Sequence, residues 1–388
     1  LRYLTAAKIH DGFKWLPEGS IIALSEDGGV ERVLMPGETP PAGVEQYPGF
    51  LCPGFVNAHC HLELSHMKGQ IPEHTGLVPF LQRVATGRNT TSGIQECIRK
   101  SVSAMRDNGI VAVGDIANTT DTLSHRKDSG LHFHTFVESL GFIETAAEAR
   151  FNASLDTYSA FAAQTSAGNQ LLRQSIVPHA PYSVATDLFQ RINSFEPEAV
   201  ISIHNQECIA EDDFFRRGTG EMLRLYETLR IDTSFFRPTG LSSVQSYWPL
   251  LAARNHVLLV HNTYTSIDDL TYLQPDRDRV FLTLCPAANL YIENTLPPVE
   301  AFAGSGFNIC LGTDSLASNH SLSIWNEVCI LLQHFKNLDV AQVLSWATSG
   351  GAKALRMDHI IGSIQPGKKP GILCIERMDT ISVIQPAL

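Results

Sequence analysis

Short apolar runs recur along the middle of the chain, and segments with helical spacing separate most of them. The strand-like runs are Phe50–His61, Ile110–Asp115, His132–Glu138, Ser175–Pro178, Val200–His204, Val257–His261, Val280–Leu284 and Asn308–Gly312. Between them, Ile94, Ile98, Val102 and Met105 fall on one helical face, and Val343, Leu344, Ala347 and Leu355 mark a helix over Val340 to Leu355. Eight strands with intervening helices over roughly 300 residues predict an α/β fold of the (β/α)₈ barrel type rather than an open doubly wound sheet. No G-x-G-x-x-G follows the first strand, so a dinucleotide-binding fold has no support.

The two ends of the chain read differently. Arg2 to Ile9, Ser20 to Leu24 and Val30 to Leu34 are β-rich, with turn signals at Asp11-Gly12 and Glu26-Asp27-Gly28-Gly29. Gly362 to Ile375 and Thr380 to Gln385 return to strands and turns. The pattern predicts a discontinuous β-sandwich domain, residues 1–53 plus 360–388, beside a catalytic barrel over 54–359. The longest connection runs from Asn205 to Asn255, with a helical pattern over Met222 to Leu229. On a barrel it reads either as a lid over the active face or as a surface excursion with its own packing.

Composition narrows the function classes. The chain of 388 residues is 44% hydrophobic and 18% charged, as a globular protein is. Its net charge is −11, and no Lys or Arg run exceeds two residues. A nucleic-acid or anionic-membrane partner is therefore not expected, and a small-molecule substrate is. Eight scattered cysteines without a C-x-x-C pair predict free thiols in a reducing compartment. With no signal-peptide pattern and no apolar run of transmembrane length, the expected location is cytoplasmic. The oligomeric state stays open, a homo-oligomer included.

Candidate chemistry sits where the strands should end. In an extended strand, residues i and i+2 share a face, so His59 and His61 form half of a metal site or a pair of core histidines. Further along, His179 follows the fourth apolar run, His204-Asn205-Gln206-Glu207 the fifth, His261 the sixth, and Asp314 the eighth. Working residues of barrel enzymes come from the C-terminal ends of several strands. Four histidine-bearing strand ends with an aspartate at a fifth favour the metal reading.

The stretches PGFVNAHCHLELSHMKG, PHAPYSV, HNQE, LVHNTY, LCPAANLYIEN, LGTDSLASNHSLSIWNEV and WATSGGAKAL, in this order, resemble the amidohydrolase superfamily in its cytosine deaminase/chlorohydrolase-like branch. The resemblance spans nearly the whole chain and implies a (β/α)₈ barrel flanked by a β-sandwich. It implies one divalent metal ion, zinc with iron or manganese as alternatives, held by His59, His61, His204 and Asp314. Glu207 matches the proton-shuttling glutamate, and His261 the histidine beside the attacking water. Asp314 would also act on that water. Binuclear relatives carry a bridging lysine at the end of the fourth strand, and Ile176-Val177-Pro178-His179 has none, so a single metal is expected. Two departures, Ala288 for the usual Ser and Gly371 for the usual acidic residue, remove no metal ligand.

This constellation suits hydrolytic deamination. A divalent metal with an open position lowers the pKa of the water it binds, and a carboxyl near it can protonate the ring nitrogen next to the departing amine. The zinc cytidine-deaminase fold is excluded, since P-C-x-x-C is absent. The resemblance points to an aminopurine or adenosine-derived nucleoside, extending to members that deaminate 6-amino-6-deoxyfutalosine, a step of menaquinone biosynthesis. S-adenosylhomocysteine, methylthioadenosine or guanine deamination, chlorohydrolase chemistry and an inactive scaffold barrel are the alternatives. His179 is expected to touch substrate. Glu63, Ser65, Lys68, Arg83 and Arg88 could face it too, although each arginine also reads as part of a solvated helix face. Arg88 would suit a substrate carboxylate.

Overall fold

The computed structural model describes residues 1–88, 93–165, 169–377 and 380–388. Its strands are β1 (Arg2–Ile9), β2 (Ile21–Leu24), β3 (Val30–Leu34), β4 (Val44–Pro53), β5 (Phe55–Cys60), β6 (Ile110–Ala117) and β7 (His132–Ser139). They continue with β8 (Leu172–Pro178), β9 (Val200–Asn205), β10 (His256–His261), β11 (Val280–Leu284), β12 (Asn308–Leu311), β13 (Ile372–Arg377) and β14 (Thr380–Gln385).

The middle of the chain is an α/β fold with two parallel four-stranded sheets, β5-β6-β7-β8 and β9-β10-β11-β12. Every residue of β5, β6, β7, β9 and β11 is buried, as parallel strands covered on both faces require. Backbone bonds cross between the sheets at both seams. His204 N–H donates to His179 O at 3.0 Å, and the N–H groups of Thr313 and Asp314 donate to His59 O at 3.0 and 3.1 Å. Asn57, on β5, adds a side-chain clasp to the second seam: its Nδ2 donates to Thr313 Oγ1 at 2.8 Å and its Oδ1 accepts from Thr313 N–H at 3.1 Å.

Both chain ends enter one six-stranded sheet, in the order β14-β13-β4-β1-β2-β3. It has its own apolar core, which includes Leu4, Ile22, Leu24, Leu51, Ile372 and Cys374. The sequence pattern missed most of β4, because Gln46, Pro48 and Gly49 interrupt its apolar positions. Phe50–His61, read as a single run, is two strands in different sheets. The break is Gly54, whose N–H donates to Pro370 O at 3.0 Å, and where a Cβ would stand 2.2 Å from Val111 Cγ1. Only a residue without a side chain passes this crossing unshifted.

The expected helix over Val340 to Leu355 is Val340–Ser345 and Gly351–Ala354 joined by the π-helical turn Trp346–Gly350. All eight cysteines are free. Among the described residues, no helix is long and apolar enough to cross a membrane.

One packing contact gives a direct stability prediction. A Cβ at Gly114, on β6, would meet Ala58 O of the neighbouring strand at 2.2 Å. Gly114→Ala is expected to cost about 1–3 kcal/mol through overpacking, read as a lower urea midpoint.

Candidate metal centre and substrate cavity

The strand ends converge. Ligand atoms of His59, His204, His261 and Asp314 all lie within 4.8 Å of one another, and those of His61, Glu138 and His204 form a second such group. His61 Nε2 is 3.2 Å from His59 Nε2 and 3.3 Å from Asp314 Oδ1, and His59 Nε2 is 3.6 Å from that oxygen. Donors about 2.1 Å from a tetrahedral ion stand about 3.4 Å apart, so these spacings suit one ion.

The surroundings fix which ring nitrogen points inward. His204 Nδ1 donates to His179 O at 2.9 Å, leaving Nε2 free for the centre. His59 Nδ1 faces Ser202 Oγ at 3.4 Å, and His261 Nδ1 faces Asn289 Oδ1 at 3.4 Å. His261 Nε2 is buried without a hydrogen-bond partner among the described residues, 3.5 Å from Glu207 Oε1. Such an orphaned imidazole nitrogen is what a ligand, or a group facing bound water, looks like without the ion. Ser318 Oγ donates to Asp314 Oδ2 at 2.5 Å, which turns Oδ1 toward the histidines.

The protonation states agree with this use. Burial pushes His59, His204 and His261 down to about 4, and His61 well below its ordinary value, so all four imidazoles are neutral at pH 7. Burial pushes the Asp314 carboxyl up, but its close contacts with the His59, His61 and His261 rings outweigh it and hold it well below the usual range. Neutral imidazoles and an ionised carboxylate are the forms that bind a metal. Burial, reinforced by Asp314 and Glu293, raises the Glu207 carboxyl well above its ordinary value.

The backbone at this centre leaves regular geometry. Gln206, His261, Asn262 and Asp314 have φ of 43°, 73°, 56° and 56°, a region that costs non-glycine residues about 1–3 kcal/mol each. Surrounding bonds hold it, among them Asn262 Nδ2 to Leu259 O at 2.7 Å and Tyr264 N–H to Gln206 O at 3.0 Å.

A cavity of about 490 Å³ opens from the centre. His61, His204, Glu207, His261 and Asp314 line its floor, with His179, Glu63, Arg88 and Asn118 on its walls. Its outer part is apolar: Leu77, Phe80, Leu81 and Val84 come from the helix Leu77–Gly87, and Leu225, Tyr226 and Leu229 from the helix Met222–Leu229. The long 205–255 connection therefore walls the cavity, and Phe214, Phe215, Met222 and Tyr226 give it a packed apolar base.

The substrate candidates separate. His179 lines the cavity, its Nδ1 2.7 Å from Ser183 Oγ. Arg88 does not sit on a solvated face: it lines the cavity and pairs with buried Glu63 at 2.7 Å. Glu63 is fully engaged, also accepting from Asn118 N–H, Asn118 Nδ2, Thr119 N–H and Thr119 Oγ1 at 3.0–3.1 Å. Ser65 is buried outside the cavity lining, and Lys68 and Arg83 are exposed away from it. The sequence reading missed Glu138 and Arg150, both cavity residues. Glu138 closes an apolar run as the histidines do, and that position was the available signal. Arg150 lies on the helix Ala147–Ala162 and belongs to no motif.

The family follows from most of the chain: a model described as "Amidohydrolase family" matches residues 50–385, and the chain belongs to that family. It is an enzyme of the class that hydrolyses carbon–nitrogen bonds. Among similar proteins, an adenosine deaminase of Helicobacter pylori is 27% identical over 329 residues, covering 82% of this chain and 77% of its own length. An aminodeoxyfutalosine deaminase of Nitratiruptor sp. is 24% identical over 355 residues, 89% of this chain and 84% of its own. The crystal structure of Helicobacter pylori aminofutalosine deaminase in complex with methylthio-coformycin shares the fold, with a TM-score of 0.81 and 21% identity. That match covers 98% of this chain and 94% of the other.

Proposed function

We propose that the protein is a metal-dependent hydrolytic deaminase of an adenosine-derived nucleoside whose sugar carries an apolar, carboxylate-bearing arm, as 6-amino-6-deoxyfutalosine does. The carrying observation is one cavity with a His/Asp centre at its floor, apolar walls beyond it and an arginine with no ion pair among the described residues. In this reading the eight parallel strands form one (β/α)₈ barrel over 54–359, and the chain ends, 1–53 and 360–388, form a β-sandwich domain.

His59, His61, His204 and Asp314 would hold one divalent ion, zinc by its liking for nitrogen and oxygen donors. When bound, that ion supplies a water acidic enough to attack at neutral pH. His261 and Asp314 orient the water, and Glu207 carries a proton to the ring nitrogen beside the amine. His179 meets the purine. Water adds to the ring carbon, the carbon–nitrogen bond breaks, and ammonia leaves.

The anionic arm is assigned to Arg150 rather than Arg88. Glu63 already neutralises Arg88 at 2.7 Å, whereas Arg150 has no ion pair among the described residues. Arg150→Ala is expected to raise KM at least about tenfold for the carboxylate-bearing nucleoside and to leave adenosine nearly unaffected. An equal effect on both substrates would remove Arg150 from the anion site. The test of the whole reading is ammonia release by the zinc-loaded protein across a panel of aminopurines and their nucleosides. Release from none of them would overturn it.

A further inference from the structure

The mechanism above leaves one cavity carboxylate without a task. Glu138 lies on β7, in the sheet β5–β8, whereas Glu207 follows β9 and faces His261 on β10, in the other sheet. Glu138 Oε2 accepts from Asn118 Nδ2 at 2.8 Å. That amide also donates to Glu63 Oε1 at 3.1 Å, so both of its hydrogens are spent. Glu138 Oε1 receives no hydrogen bond among the described residues. Its close neighbour His204 Nδ1, 3.6 Å away, already donates to His179 O at 2.9 Å. One acceptor oxygen is thus left on the cavity wall, at the reacting end, beside His61 and His204. Water in the cavity can reach this oxygen, so a ligand that displaces that water leaves it unmet unless it brings a donor.

An adenosine-type substrate offers one donor at its reacting end, the exocyclic amine; its hydroxyls lie on the sugar, beyond the ring system. We infer that Glu138 Oε1 accepts a hydrogen bond from that amine and makes the site select an N–H-bearing leaving group over one without a donor, such as chloride. This rests on the deaminase reading. The contact orients the amine for departure and does not change the overall balance, in which water enters and ammonia leaves.

Glu138→Gln is a sharp test because Asn118 decides how the new amide lies. Asn118 Nδ2 must still find an acceptor, which holds the Gln oxygen on its side and turns the Gln NH₂ toward the substrate. Volume is kept while the polarity at that atom reverses. The experiment measures kcat/KM of the zinc-loaded full chain for adenosine and for 6-chloropurine riboside, both of which yield inosine. The amine-over-chloride ratio is expected to fall about ten- to hundredfold in Glu138→Gln, the cost of facing the substrate's amine with another donor instead of an acceptor. Glu138→Ala, with neither donor nor acceptor, should fall between the wild type and the Gln variant. A wild type inert toward every aminopurine nucleoside would overturn the deaminase reading itself. An active wild type whose variants lose both substrates by the same factor would overturn only the role of Glu138.

Discussion

A Glu207→Gln protein keeps its fold and its metal and turns over substrate on the order of 10²–10⁴-fold more slowly. Glu207 is 4% exposed, lines the cavity floor and lies 3.5 Å from His261 Nε2. It is not needed to hold β9 or β10, whose backbone bonds run from His256↔Val200 to His261↔Asn205 without it. The amide has the same size and can still touch the substrate, but it cannot hand over a proton. The check is steady-state ammonia release alongside metal content and melting temperature. A near-normal rate at full metal loading would remove the proton-carrying role from this residue.

Stripping the metal has an effect of the same order. Dialysis against a strong chelator is expected to abolish turnover, and one equivalent of zinc per chain to restore it. An ion that binds only the folded state stabilises it by mass action, by about 2.7 kcal/mol at a hundred times its dissociation constant. The apoprotein should therefore melt at a lower temperature. Asp314→Ala should behave as the permanent apoprotein, because it removes the carboxylate that faces His59 and His61 at 3.6 and 3.3 Å. Full activity after chelation, or a requirement for two equivalents, would contradict a single-ion site.

Much of this arrangement was legible from residue order. The period-two spacing of His59 and His61 and the polar residue closing each apolar run depend on local backbone geometry, which sequence carries directly. The buried parallel strands were visible for the same reason, as continuous apolar runs. Pairings set by distant chain were not. Arg88 looks like a solvated helical charge until Glu63, 25 residues earlier, meets it across the cavity wall. Arg150 sits on a helix whose neighbours say nothing of the cavity. β4 was obscured because its partners β1 and β13, rather than its own apolar pattern, hold it extended. The left-handed turns at His261 and Asp314 are likewise imposed by their surroundings and carry no glycine to announce them.

The seam between β5 and the turn after β12 also governs when the active site can exist during synthesis. Asn57 and Thr313 are 256 residues apart, and β13 completes its pairing with β4 only after that. A ribosome making about 5–20 residues per second has exposed His59 and His61 for many seconds before Asp314 emerges. The nascent chain therefore carries the two histidines proposed to bind the metal without the carboxylate proposed to complete the site. Long-range closure of this kind favours slow, late assembly. Any fragment that stops before Thr313 lacks both the clasp and the aspartate, so it should neither retain the ion tightly nor turn over substrate.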